Sequence, residues 1–196
     1  MPESIALQPF VDAYPPDPGV RVPGEAFLAY GVAHFPEALI ELWRAHGLGF
    51  YGDQQIALVD PGVWTDSLQT WLGTGVTSIP FAVTSFGHIY HYDHVDGADR
   101  IQCLDPHFQN NVVIPGDMTD FFNQHLPSRS SHLADLRALR QGARDARGAL
   151  AADEIYFFTP MLALGGQVRQ ENLDKGNGPV HLDIVHQMVR QHVHQR

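Results

Sequence analysis

Residues 35–72 read FPEALIELWRAHGLGFYGDQQIALVDPGVWTDSLQTWL, and the punctuation of this stretch decides the fold. Pro36 suits the first position of a helix, where its missing N–H costs nothing. Leu39, Leu42, Trp43 and His46 follow at helical spacing, and Gly47 marks the stop. Ile56–Val59 reads as a short strand. Asp60-Pro61 then supplies an N-cap followed by proline. Trp64, Leu68, Trp71 and Leu72 share one face before Gly73 ends a second helix. Two helices bearing such large apolar side chains need a broad surface to cover, and a sheet is the natural one. The stretch is scaffold and holds no catalytic constellation.

The sheet is expected downstream. Ile79, Phe81 and Val83 alternate with Pro80, Ala82 and Thr84, the period-2 pattern of a strand. His88–Tyr92 and Arg100–Leu104 flank Asp96-Gly97, a hairpin turn signal set in a loop longer than two residues. Val112–Ile114 adds a further strand. The spacing predicts an antiparallel meander with both helices of the opening stretch across one face. Upstream, Ile5–Val11 suggests a helix ending before Tyr14. Pro15–Gly24 is irregular surface chain, and Phe27–Phe35 fits either strand or helix. Asp117 caps a helix carrying Met118, Phe121, Phe122 and Leu126.

The polar run Pro127–Ser131 divides the chain into domains of residues 1–126 and 127–196. Beyond it, Ser131 caps a helix with Leu133, Leu136, Leu139 and Ala143. Glu154–Phe158 is a strand, and Leu162–Leu164 is a candidate for a second, ended by Gly165-Gly166. Pro179 opens a last helix with Leu182, Val185 and Val189 inward and residues 191–196 frayed. The fold class is α+β: an antiparallel sheet flanked by helices, with a smaller α+β C-terminal domain.

Composition narrows the function. At 196 residues with 44% hydrophobic and 10% aromatic content, a wholly disordered chain is excluded. The first twenty residues lack the basic start and apolar run of a signal peptide, and no stretch reaches the roughly 20 apolar residues that span a bilayer. Cys103 is the one cysteine, which excludes an intrachain disulfide and a cysteine zinc site. A soluble protein of the reducing cytoplasm is expected. Residues 1–126 carry 15 acidic against three basic residues, a net of −12, and residues 127–196 carry seven against nine. Such charge repels nucleic acid and speeds encounter with basic partners, although solubility alone also accounts for it.

No side-chain cluster reads as an active site. His88, His91 and His94 beside Asp93 and Asp96 invite a metal, but in a strand positions 88 and 91 point to opposite faces. A cross-strand surface is the expected role, and neither a metal nor a cofactor is expected. Arg137, Arg140, Arg144 and Arg147 line one helical face, as a solvated stripe or one that pairs with the acidic first domain. Ser85-Phe86-Gly87 lacks the glycine of a nucleophile elbow. Gly165-Gly166 is a turn rather than a phosphate loop. Cys103 belongs to the core.

Three features taken together carry a family likeness. Pro36, Leu39, Trp43 and Gly47 followed by Val59-Asp60-Pro61, then Ser85-Phe86-Gly87-His88-Ile89 and Phe121-Phe122, resemble the GAD-like domain, a relative of the SUKH-like immunity superfamily. Most such domains have Gly-Asp where this chain has Gly87-His88, so a role for that aspartate does not carry over. Asp153–Pro160, Ala163–Gly166, Glu171-Asn172-Leu173 and His181-Leu182-Asp183 resemble the small domain that follows it in immunity proteins paired with type VI secretion DNase toxins.

The resemblance implies a non-enzymatic cytoplasmic inhibitor that binds a cognate effector, a nuclease, over its basic substrate-binding surface. Direct contact with nucleic acid or membrane is not expected. The acidic hairpin residues Asp93, Asp96 and Asp99 are the candidate contacts. A metal-dependent hydrolase built on His88, His91 and His94, and a regulatory adaptor, are the competing readings.

Overall fold

The computed structural model describes residues 5–128 and 132–194. The elements are α1 (Gln8–Ala13), α2 (Glu25–His34), α3 (Glu37–Ala45), β1 (Gly49–Tyr51), β2 (Ile56–Leu58), α4 (Pro61–Leu72), β3 (Ile79–Thr84), β4 (Ile89–Val95), β5 (Ala98–Asp105) and β6 (Asn110–Ile114). After α5 (Met118–Asp120) come α6 (His132–Arg147), β7 (Glu154–Phe158), β8 (Leu173–Asn177) and α7 (Gly178–His194). Strands β1 to β6 form one antiparallel sheet in sequential order, and β7 pairs with β8 in a second.

Local chemistry fixes most boundaries as the sequence reads. Asp60 accepts from the Gly62 N–H at 2.8 Å to cap α4, and Gly73 closes it at φ 98°. Asp117 and Asp120 form a reciprocal capping box at α5, which widens into a π turn over Phe121–His125. Pro36 is the residue before α3 rather than its first turn. Phe27–Phe35 resolves as helix α2. The strand β1, unseen in the sequence, pairs with β2 across Tyr51↔Ile56.

The meander stands, but its helices divide between the two faces of the sheet. Leu39, Leu42 and Trp43 of α3 pack with Ile56, Leu58, Tyr90 and Ile101. Trp64 and Leu68 of α4 pack on the other side with Ala57, Val59, Ile89 and Leu104. Strand β2 lies between the two helices, and its alternate residues point to opposite faces, so both faces need cover. The expectation of both helices on one face is therefore corrected. A bulge between Pro80 and Ala82 similarly breaks the even alternation of β3, sending Phe81 and Ala82 to the α3 side and Val83 to the α4 side.

The C-terminal segment completes the second face. Ile155 and Leu182 join the α4 cluster, and Phe86 at the β3–β4 turn packs with Ala143, Leu150, Tyr156, Phe158 and Leu173. Gly87 takes left-handed backbone (φ 82°), and a Cβ there would lie 2.8 Å from Ile155 Cδ1, so that methyl would have to shift. Trp64 Nε1 donates to Asp153 (3.1 Å), Trp71 Nε1 to the Leu182 carbonyl (3.2 Å), and the Tyr156 N–H to the Ser85 carbonyl (2.7 Å). The arginine face of α6 reaches back to the sheet: Arg140 and Arg144 both bind Asp53 in the β1–β2 turn, whereas Arg147 donates to the Leu173 carbonyl (2.7 Å) within the C-terminal segment. Of the two alternatives for those arginines, pairing with the acidic N-terminal part of the chain, through Asp53, describes Arg140 and Arg144.

Three C-terminal expectations change. Leu162–Leu164 is a 3-10 turn, not a strand; the partner of β7 is β8, which alternates poorly (Leu-Asp-Lys-Gly-Asn) and so escapes a periodicity test. Residues 191–194, expected to fray, continue α7. The Ser131 cap lies outside the described residues, as do the side chains of Leu133 and Leu136.

Candidate functional site

The acidic hairpin is built by β4 and β5. Their register runs without a break from Ile89↔Leu104 to Val95↔Ala98, so the connection is only Asp96-Gly97. Both residues adopt left-handed backbone (φ 53° and 79°), as a two-residue turn between twisted strands demands and as Asp-Gly readily supplies. The longer loop expected from the sequence is corrected, and the two strands extend further in consequence.

That register decides where the three aspartates point. Asp93 faces Arg100 across the pair, and Arg100 grips it through Nε (2.8 Å) and a terminal nitrogen (2.5 Å). Asp99 is on the opposite face beside His94 (3.1 Å to Nδ1) and accepts from the Tyr92 hydroxyl (2.8 Å). Burial, then the Asp99 carboxylate, push the Tyr92 pKa up and keep it a donor. Asp96 occupies the apex and is exposed. The hairpin thus gathers the three residues at one tip, aims them in different directions, and presents Asp96 most openly.

The histidine series does not converge. His88 is buried in the β3–β4 turn, with Nδ1 2.9 Å from Thr84 Oγ1 and Nε2 3.6 Å from Asp105 Oδ2. Burial pushes the Asp105 carboxyl up, but His88, the Phe108 N–H and His107 together pull it below the usual carboxylate range. His91 is buried elsewhere, between Ser78 Oγ (2.8 Å) and Asn111 Oδ1 (2.9 Å). Burial lowers its pKa against the opposing Asn111 bond. Only His94 lies exposed on the hairpin. The expected cross-strand surface is therefore corrected for His88 and His91, which are interior clasps. Among the described residues no group of three or more His, Cys, Asp or Glu is placed to hold a metal.

Thr84, His88 and Asp105 mimic the order of a hydroxyl nucleophile relay, but the Thr84 oxygen also accepts from the N–H groups of Phe86 (3.3 Å) and His88 (3.1 Å). With all three residues buried, the arrangement is a turn clasp. Cys103 is likewise buried, and burial raises its thiol pKa, so it stays a core residue.

A groove of about 600 Å³ opens between residues 18–24, β2, the start of α4 and residues 150–154. Its carboxylates are committed to the fold. Asp60 caps α4, Asp153 accepts from Trp64, and Glu154 accepts from the Ala151 N–H (2.8 Å) and Lys175 (3.1 Å).

Sequence reading missed a different surface, the outer edge of β6. Val112–Ile114 read correctly as a strand, but which strand ends a sheet depends on long-range order that local pattern does not encode. No described helix is long and apolar enough to cross a membrane.

Comparison with known proteins matches two successive stretches of the chain. Residues 6–104 match the GAD-like domain, and residues 117–189 match the C-terminal domain of the T6SS immunity protein Tdi1. No curated protein matches the chain. The crystal structure of Atu4351 from Agrobacterium tumefaciens superposes with a TM-score of 0.72 at 16% identity, covering 92% of this chain and 88% of that one, which establishes a shared fold. With a GAD-like match over half its length, the chain belongs to the GAD-like family, and the C-terminal domain of a type VI secretion immunity protein is matched behind it.

Proposed function

We propose that this chain neutralises a cognate type VI effector of nuclease activity, in the cytoplasm, by stoichiometric binding over the effector's basic substrate surface. The observation that carries the reading is the succession of the two family matches. The net −12 of residues 1–126 supports it independently, because a nuclease must present positive charge to phosphate and an acidic protein can take that place. A hydrolase built on His88, His91 and His94 finds no support, since the three rings lie apart and two are committed inside the fold.

The test is co-production with the protein encoded by the neighbouring gene, followed by a DNA-cleavage assay. A tight complex with cleavage suppressed is expected. A complex that still cleaves would make the chain an adaptor, and no complex would sink the reading. Within the complex, Asp93, Asp96 and Asp99 form the proposed contact tip. Reversing all three charges is expected to slow association about tenfold or more and to flatten its salt dependence. Wild-type association kinetics would remove the hairpin from the contact.

A further inference from the structure

The two edges of the six-stranded sheet are treated differently. At β1 the segment preceding α2 lies alongside and forms bridges Pro16↔Tyr51 and Arg21↔Leu48. At β6 no described strand pairs with the outer side. Asn110, Asn111, Val112 and Val113 are all exposed, Val113 at 57%, and Phe108 in the preceding turn is 72% exposed.

Natural sheets shield such an edge with lysine, proline, a bulge or a covering element, because unpaired N–H and C=O groups template a further strand. Strand β6 reads Asn-Asn-Val-Val-Ile and has none of those residues. Its register with β5 is unbroken from Asp105↔Asn110 to Ile101↔Ile114.

The hairpin extends this edge. Pairing of β5 with β6 stops at Ile101, whereas pairing of β4 with β5 continues through Arg100, Asp99 and Ala98. Three residues of β5, about 10 Å of strand, therefore have an unpaired side beyond the end of β6. The chain leaves that path through Pro115 and Gly116, which has φ 96°.

We propose that β6 and the overhanging end of β5 form a strand-addition site that receives an extended segment of the effector, with lysine or arginine at the hairpin end. This rests on the immunity reading above. Main-chain hydrogen bonds to the edge would hold the segment, and Val112 and Val113 would pack against its alternate apolar side chains. Basic residues are called for because Asp99 lies in the overhang and Asp96 in the turn at its end. The adjacent cation, Arg100, is already bound by Asp93. A second copy of this chain would instead bring two net −12 regions together, which charge disfavours.

The test is Val112→Lys with Val113→Lys, which installs an edge charge on two half-exposed side chains. Thermal melting checks that the fold is kept. The neighbouring-gene product is the probe. Binding at least tenfold weaker than wild type, through faster dissociation, is expected. Unchanged binding overturns the edge site and leaves the immunity reading standing; absence of binding by the wild type overturns both. Self-association of the wild type in sedimentation, lost in the double variant, would give the edge to a second copy and overturn the effector segment. Hydrogen exchange on the wild-type complex reads the site without any variant. Amides of residues 98–100 and 110–113 should gain protection, and no gain would overturn it.

Discussion

Trp64→Ala is expected to cost about 3–5 kcal/mol in chemical denaturation, the range for removing a large buried aromatic side chain. For a chain of this size that lowers the melting temperature by roughly 6–20 °C. The ring is 1% exposed and sits where the two family-matched segments meet: its cluster contains Ala57, Val59 and Leu104 from the first, with Ile155 and Leu182 from the second. Its Nε1 donates to Asp153. The fit is tight enough that a Cβ on Gly178 would lie 2.3 Å from Trp64 Cη2. Losing the ring should therefore destabilise both segments together, in one transition. Two separated transitions, or a loss below about 1 kcal/mol, would contradict a shared core. Val63→Ala, next door on α4 but 41% exposed, should change stability by no more than about 0.5 kcal/mol.

Mild acid should weaken the fold through His181. The imidazole stacks on Phe157 with ring centroids 3.7 Å apart, and burial, aided by the nearby His107, lowers its pKa to about 4. The unfolded chain takes up this proton near the ordinary value of about 6.5. Between those two values the unfolded state binds more protons, so stability rises with pH across the window and is lost as pH falls through it. The shift corresponds to about 3 kcal/mol at full loss. His91 and His186 are shifted in the same direction and add to the slope. Asp105, whose pKa is depressed, loses its contribution only once pH drops below the unfolded carboxylate range of about 4, a separate acid limb. His181→Phe keeps an aromatic stack and removes the titration. The difference between wild-type and variant stability, measured from pH 7 to pH 4.5, should grow steadily, and a flat difference would refute the assignment.

The sequence was most legible where one residue's chemistry is local. Asp60-Pro61 and Gly73 bound α4, Asp117 caps α5, and Asp96-Gly97 makes the hairpin turn. The family likeness was legible too, because it rests on spacing of such markers. What escaped was long-range. Whether α3 and α4 share a sheet face depends on β2 passing between them. Whether His88 and His91 are surface or interior depends on Thr84, Asp105, Ser78 and Asn111 arriving from other strands. The candidate aspartates lie at one tip as read, but their aim follows from register, which assigns Arg100 to Asp93 and His94 to Asp99. The status of β6 as an open edge required the order of all six strands.

The division of the core between two faces has a consequence for synthesis. The α3 side of the sheet is assembled from residues up to Leu126, all available early to a chain emerging from the ribosome. The other side still needs Ile155, Tyr156, Phe158, Leu173 and Leu182. At about 5–20 residues per second, the 56 residues between Leu126 and Leu182 take roughly 3–11 s to make. For that interval Val83, Ile89 and Leu104 depend on α4 for shelter, while Phe86 waits for its partners Ala143, Leu150, Tyr156, Phe158 and Leu173. A chaperone that binds short apolar strands would find its target on the nascent chain there, and would lose it when α7 closes over the sheet.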